Sequence, residues 1–316
     1  MPSEDDRHLK RTQDLLSEIK LSTAPAHGMT DTIEGITYER QERVDCPLCS
    51  RAHPARLIAV QFGMKASVAE CHDCRIAYQT PRPSVEASLA YMDMRWRSYD
   101  AYVADGELQR ARAQRYLEVV AALGVPSPRI LDFGAGIGTF VRAARDEGWD
   151  AVGVERSAAA IERARSEHSV ELNVDLSAVD HDFDVITMWD VVEHLRDPSG
   201  TVEVLRAHLR PGGWVVLETG NWESGGRLSA GDAWTLYLFD HQYYFSPRSL
   251  EEILSRAGLM DFRLMGGQRS PLPASPQGAS GVESDTREVY QRAIALWPEH
   301  ASIGIMVAAA RNAREL

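Results

Sequence analysis

A chain of 316 residues with 44% hydrophobic and 25% charged residues has the composition of a globular protein, long enough for one large domain or two ordinary ones. Its formal net charge of -12 opposes a phosphate backbone and argues against extensive nucleic-acid binding. No run approaches the roughly 20 apolar residues of a membrane span, and the polar, acidic start Met1-Pro-Ser-Glu-Asp-Asp-Arg is no secretory signal, so a cytoplasmic location is expected.

Residues 1–40 are charged, with a weak helical pattern at Leu15, Leu16, Ile19 and Leu21, and read as a leader, helical or mobile. Residues 41–83 hold all the cysteines, as Cys46-Pro-Leu-Cys49 and Cys71-His-Asp-Cys74. Two such pairs fit a tetrahedral zinc site, each short loop aiming both sulfurs at one ion, and four thiolates leave no open position for a substrate. A structural zinc ribbon is therefore expected, with a strand over 55–62. Two disulfides are the competing reading, disfavoured in a reducing cytoplasm; a redox site would need only one pair. Pro81-Arg-Pro83 makes an extended exit. Residues 84–127 read as a helical lid or linker containing Tyr91, Tyr99 and Tyr102, with a helix from Glu107 that Gly124 and Pro126 stop.

Residues 128–316 are expected to form one domain, and from 128 to 222 strand and helix patterns alternate, the mark of a parallel sheet. Ile130-Leu131 is a short buried strand ending at Asp132, followed by a turn with Gly134, Gly136 and Gly138 and then a helix. Glycines there let the backbone approach a ligand that any Cβ would strike. A second strand ends at Glu155, where an acid in βαβ nucleotide folds reaches ribose hydroxyls. A dinucleotide fingerprint would need its third glycine at 139, which is Thr, and Asp132 would face a pyrophosphate. These features favour a ligand with ribose and adenine but no phosphate.

The run Leu131-Asp-Phe-Gly-Ala-Gly-Ile-Gly138 resembles the first motif of the class I S-adenosylmethionine-dependent methyltransferases. The resemblance implies a doubly wound, seven-stranded Rossmann-like α/β sheet and S-adenosyl-L-methionine as cofactor. It assigns cofactor contacts to Asp132, Gly134, Ala135, Gly136, Gly138, Glu155 and Arg156, to Asp175 and Leu176 after a short strand over 170–174, and to Trp189 and Asp190 after a buried strand from Phe183. Arg210-Pro-Gly-Gly213 reads as a tight turn before the strand Trp214–Glu218, and residues 259–265 as strand six. A flexible loop over 266–285, a helix around 286–297 and a final strand over 302–310 complete the domain, the last inserted antiparallel between strands five and six.

A zinc ribbon ahead of such a domain also resembles the branch that includes deoxysugar C-methyltransferases. By that likeness Asp240 and His241 approach the substrate, with Tyr244 or Tyr99 contacting it, and His241 is the general base for O- or C-methylation of a sugar or natural-product-like small molecule. A second reading rests on Asp190-x-x-Glu193-His194. It resembles the metal cluster of O-methyltransferases that act on quinone precursors or RNA 3′ ends, and His241 would complete it. A third is a non-catalytic zinc-ribbon adaptor with a vestigial cofactor fold.

Overall fold

The computed structural model describes residues 29–33, 36–42, 44–49, 54–59, 67–98, 106–180, 182–231, 234, 236–269 and 303–313. Tyr99, Tyr102, the segment 1–28 of the expected leader, residues 270–285 of the expected loop and the helix around 286–297 lie outside them.

Strands β1 (Met29–Ile33), β2 (Ile36–Glu42) and β6 (Arg82–Pro83) form one small antiparallel sheet. Strands β3 (Pro54–Ala59), β4 (Ser67–Cys71) and β5 (Ala77–Thr80) form the cysteine module between them, β3 falling where a strand over 55–62 is expected. Helices α1 (Val85–Ser98) and α2 (Gly106–Ala121) lead from the module to the main sheet.

That sheet comprises β7 (Arg129–Phe133), β8 (Asp150–Val154), β9 (Phe183–Trp189), β10 (Leu209–Gly220), β12 (Leu259–Arg269) and β13 (Ile303–Asn312), in the order β12-β13-β10-β9-β7-β8. β13 pairs antiparallel with β10 and with β12, the insertion expected of the last strand. Helices α3 (Thr139–Asp146), α4 (Ala158–His168), α5 (Pro198–Arg206), α6 (Gly225–Ala230) and α7 (Pro247–Arg256) follow their strands, and β11 (Tyr243–Tyr244) lies before α7. The caps follow from the sequence: Ser157 accepts from Ala160 N, and Ser246 and Ser249 form a reciprocal capping box with Pro247 in the first turn.

Side chains alternate across the sheet as a period of two requires. Leu131, Ile186, Met188, Val215 and Leu217 enter one core with Leu205 of α5 and Ile253 of α7; Ile130, Val185, Trp214 and Val216 enter the other with Leu117 of α2 and Phe140 of α3. The first core runs unbroken into Cys46, Cys71, Ile76 and Tyr78 of the cysteine module.

Three details differ from expectation. Among the described residues six strands stand in the sheet; the segment 170–174 is reduced to one parallel bridge between Val154 and Asn173, with Asp175 then capping a short 3-10 turn at Leu176–Ala178. Residues 266–269 extend β12 against β13 instead of opening a loop, because Gly266 and Gly267 at φ 128 and 153 absorb register shifts in the pairing. The turn at 210–213 sits inside β10 as a break in its pairing with β9 between Leu209 and Trp214.

Candidate functional site

The glycine loop leaves β7 at the end of the sheet where parallel strands present their carboxyl termini, the place where doubly wound folds bind ligands. Gly134, Gly136 and Gly138 have φ of 79, 53 and 75, and a Cβ on Gly134 would stand 2.5 Å from Val191 Cγ2. The N–H groups of Gly134 and Ala135 both donate to the Val154 carbonyl, at 2.8 and 3.0 Å, so the turn is anchored to the neighbouring strand. Glu155 is buried there and accepts from the N–H groups of Gly136, Arg156 and Ser157 at 2.9, 2.8 and 2.8 Å.

The other expected cofactor residues take different positions. Asp132 is buried and accepts the Thr187 hydroxyl at 2.7 Å, beneath the loop rather than open to a ligand; burial pushes its carboxyl up to about 7. Asp175 is exposed, its Oδ1 taking Ser177 N at 2.8 Å, beside the half-buried Leu176. Arg156 is exposed. The Trp189 indole stacks on Tyr116 with centroids 3.9 Å apart and an interplanar angle of 7°. Asp190, at φ 55, pairs with Arg112 of α2.

Glu193, His194 and His241 converge: one ligand atom from each lies within 4.8 Å of the others. Glu193 and His194 come from the 3-10 turn after β9, and His241 from the loop before β11. Gln242 ties the two together, its N–H donating to the Glu193 carbonyl at 2.8 Å and its amide to the His194 carbonyl at 2.9 Å. Glu193 Oε2 is buried with no hydrogen-bond partner among the described residues. Burial, with Asp190 adding to it, pushes the Glu193 carboxyl up to about 8. Burial and the neighbouring His194 bring His241 down to about 3, so its ring is neutral at ordinary pH. For His194 burial alone would lower the pKa, but the Asp240 carboxylate, 3.4 Å from Nδ1, and Glu193 reverse the sign. Asp190 is not part of this cluster. Tyr244 is buried in an aromatic group with Trp222, Trp234 and Tyr237, its ring centroid 6.2 Å from that of His241.

Cys46, Cys49, Cys71 and Cys74 form a second convergence within the same limit. Burial, reinforced by the neighbouring sulfurs, pushes the Cys74 thiol up to about 12 and the Cys46 thiol higher still. Such thiols ionise at neutral pH only against a cation.

A family model described as a methyltransferase domain matches residues 105–262, half of the chain. The chain belongs to the S-adenosylmethionine-dependent methyltransferases. The ubiquinone biosynthesis O-methyltransferase of Thiobacillus denitrificans is 30% identical to it over 162 residues, covering 46% of this chain and 69% of that protein. The protein of the same name from Alkalilimnicola ehrlichii is 29% identical over 167 residues, covering 47% and 67%. Among solved structures, a methyltransferase from Thermotoga maritima described as a possible histamine N-methyltransferase aligns with a TM-score of 0.48 and 18% identity, covering 71% of this chain and 99% of that one.

In this methyltransferase Arg112, Arg115 and Tyr116 also border the strand ends, although no motif in the sequence marks them. Their spacing puts them on one side of α2, which closes on Asp190 and Glu218 at the strand ends. The available signal was two arginines and a tyrosine within one helical turn just before the first strand. No helix among the described residues is long and apolar enough to cross a membrane.

Proposed function

We propose that this methyltransferase moves the cofactor's methyl group to a hydroxyl oxygen of a small molecule, with Glu193, His194 and His241 holding a divalent cation beside that oxygen. The convergence of the three ligand atoms within 4.8 Å carries the reading, and the buried Glu193 oxygen without a partner fits a cation. Bound S-adenosylmethionine supplies an electrophilic methyl group on a sulfonium, so positioning accounts for much of the rate. A bound cation supplies charge that lowers the pKa of an acceptor hydroxyl.

The chain's own residues set up both sites. The Asp240 carbonyl only accepts, so Nδ1 of His194, 3.0 Å away, carries its proton and Nε2 is the nitrogen that would give up a proton to bind a cation. Burial holds His241 neutral with a lone pair free for a metal. The glycine loop and Glu155 hold the nucleoside, Asp175 and Leu176 the adenine, and Trp189 and Asp190 border the methionine half. Cys46, Cys49, Cys71 and Cys74 hold a structural zinc ion. The relatives named for O-methylation support oxygen as the acceptor.

General-base catalysis by His241 on a sugar or an acidic carbon is less well supported. A ring with its pKa near 3 takes a proton from a hydroxyl poorly, and the Asp240 carboxylate lies against His194.

Manganese titration followed by paramagnetic resonance tests the cation site. One site is expected in the wild type, and none in Glu193→Gln or His241→Ala. With a panel of hydroxylated aromatic acceptors, the same two variants should lose methyl transfer while binding S-adenosylhomocysteine normally. Undiminished turnover in both would overturn the proposal.

A further inference from the structure

Helix α1 lies before residue 105, where the family match begins, yet it is fastened over the glycine loop. Ser157 donates its hydroxyl to Asp93 at 2.5 Å, and the Arg163 guanidinium donates to the Trp96 carbonyl at 3.1 Å. A Cβ on Gly136 would stand 2.9 Å from Cη2 of the Trp96 indole. Asp93 and Trp96 are three positions apart, so they share one helical face.

The state of Glu155 shows what that face is for. Its Oε1 takes two N–H groups and its Oε2 takes one. A carboxylate offers about four acceptor positions, so about one is left for a ligand, whereas a ribose diol brings two hydroxyl donors. A second acceptor must stand nearby, and the Asp93 carboxylate is close enough for its charge to act on Glu155. The indole, meanwhile, stands against the bare backbone of Gly136.

We infer that Asp93 and Trp96 are cofactor-binding residues: Asp93 accepts one ribose hydroxyl beside Glu155, and the Trp96 indole is the outer wall against which the nucleoside packs. The inference rests on the glycine loop and Glu155 being the cofactor site. It makes the nucleoside pocket of this chain a joint product of the methyltransferase domain and the helix that follows the cysteine module.

Calorimetric titration of the full chain with S-adenosylhomocysteine, and with its analogues lacking the 2′ or the 3′ hydroxyl, tests it. Asp93→Asn should weaken the parent ligand by about tenfold, the worth of a charge-assisted hydrogen bond, and lose the preference for the parent over one of the two analogues. That loss of discrimination is a readout that a merely structural role would not move. Trp96→Ala should weaken all three ligands by about tenfold and Trp96→Phe should restore most of the loss, as expected for a packing surface. Full discrimination in Asp93→Asn, or Trp96→Ala binding within about twofold of wild type, overturns the inference. Glu155→Ala separates the two levels: if it binds the parent normally, the cofactor-site reading falls and the inference with it; if it alone is impaired, only the inference falls.

Discussion

Tyr116 of α2 donates its hydroxyl to Oε1 of Glu218, 2.7 Å away and 102 residues further along the chain. Arg115 meets the other oxygen of the same carboxylate at 2.6 Å, and Glu218 is wholly buried. The helix thereby closes on the end of β10 through a charge that water does not reach.

Removing a partner from this buried charge should be costly. Arg115→Met is expected to destabilise the fold by about 3 kcal/mol, because it removes the nearer of the two cations beside the buried Glu218 and leaves only Arg112, 3.5 Å from Oε1. Tyr116→Phe, which removes one hydrogen bond and keeps the stack on Trp189, should cost about 1–3 kcal/mol. Urea unfolding followed by circular dichroism measures both. A loss for Arg115→Met no larger than for Tyr116→Phe would mean that the ion pair contributes little.

Asp132 predicts a pH dependence of stability. Burial raises its carboxyl from 3.8 to about 7 in the folded state, so between those values the folded chain binds more protons than the unfolded one. Stability therefore falls as pH rises through that window, by on the order of 4 kcal/mol at most. Asp132→Asn keeps an acceptor for Thr187 and should flatten this part of the profile. An unchanged slope in unfolding measurements from pH 4 to 7 would assign it to other groups.

Gly134 has a backbone at φ 79 and a Val191 methyl 2.5 Å from where a Cβ would stand. Gly134→Ala is expected to cost about 1–3 kcal/mol from backbone strain and crowding and to weaken S-adenosylhomocysteine. Adding Val191→Ala should recover the crowding part but not the backbone part. Thermal unfolding of the single and double variants separates them.

The cysteine module should be a condition for the acceptor side of the site. β5 pairs with β11, Tyr78 opposite Tyr243 and Ala77 opposite Tyr244, and Gln79 N donates to the Gln242 carbonyl at 2.9 Å, one residue from His241. Elemental analysis should find one zinc per chain, lost in Cys71→Ser/Cys74→Ser. Hydrogen exchange of residues 240–245 should then rise by about tenfold or more, reflecting local opening. Unchanged protection after zinc loss would show that the strand pairing holds without the ion.

The local patterns of this chain were legible without coordinates. The apolar run into a glycine turn, the acid closing the next strand, the serine caps before proline or alanine, and the paired cysteines each depend on neighbours close in sequence. Backbone strain and capping act over a few residues, so the class of sheet could be read from such patterns. What needed tertiary structure was everything set by contacts between distant segments. His241 meets Glu193 and His194 only because Gln242 bonds to both of their carbonyls. Asp190 is diverted from that cluster by Arg112, which no local pattern assigns to it. The bridge at Asn173 in place of an edge strand, and α1 lying on Gly136, were likewise settled by packing. Burial decides the rest: the same histidine is an ordinary base in water and a neutral, weakly basic ring among buried neighbours, and a sequence does not state which of the two surrounds it.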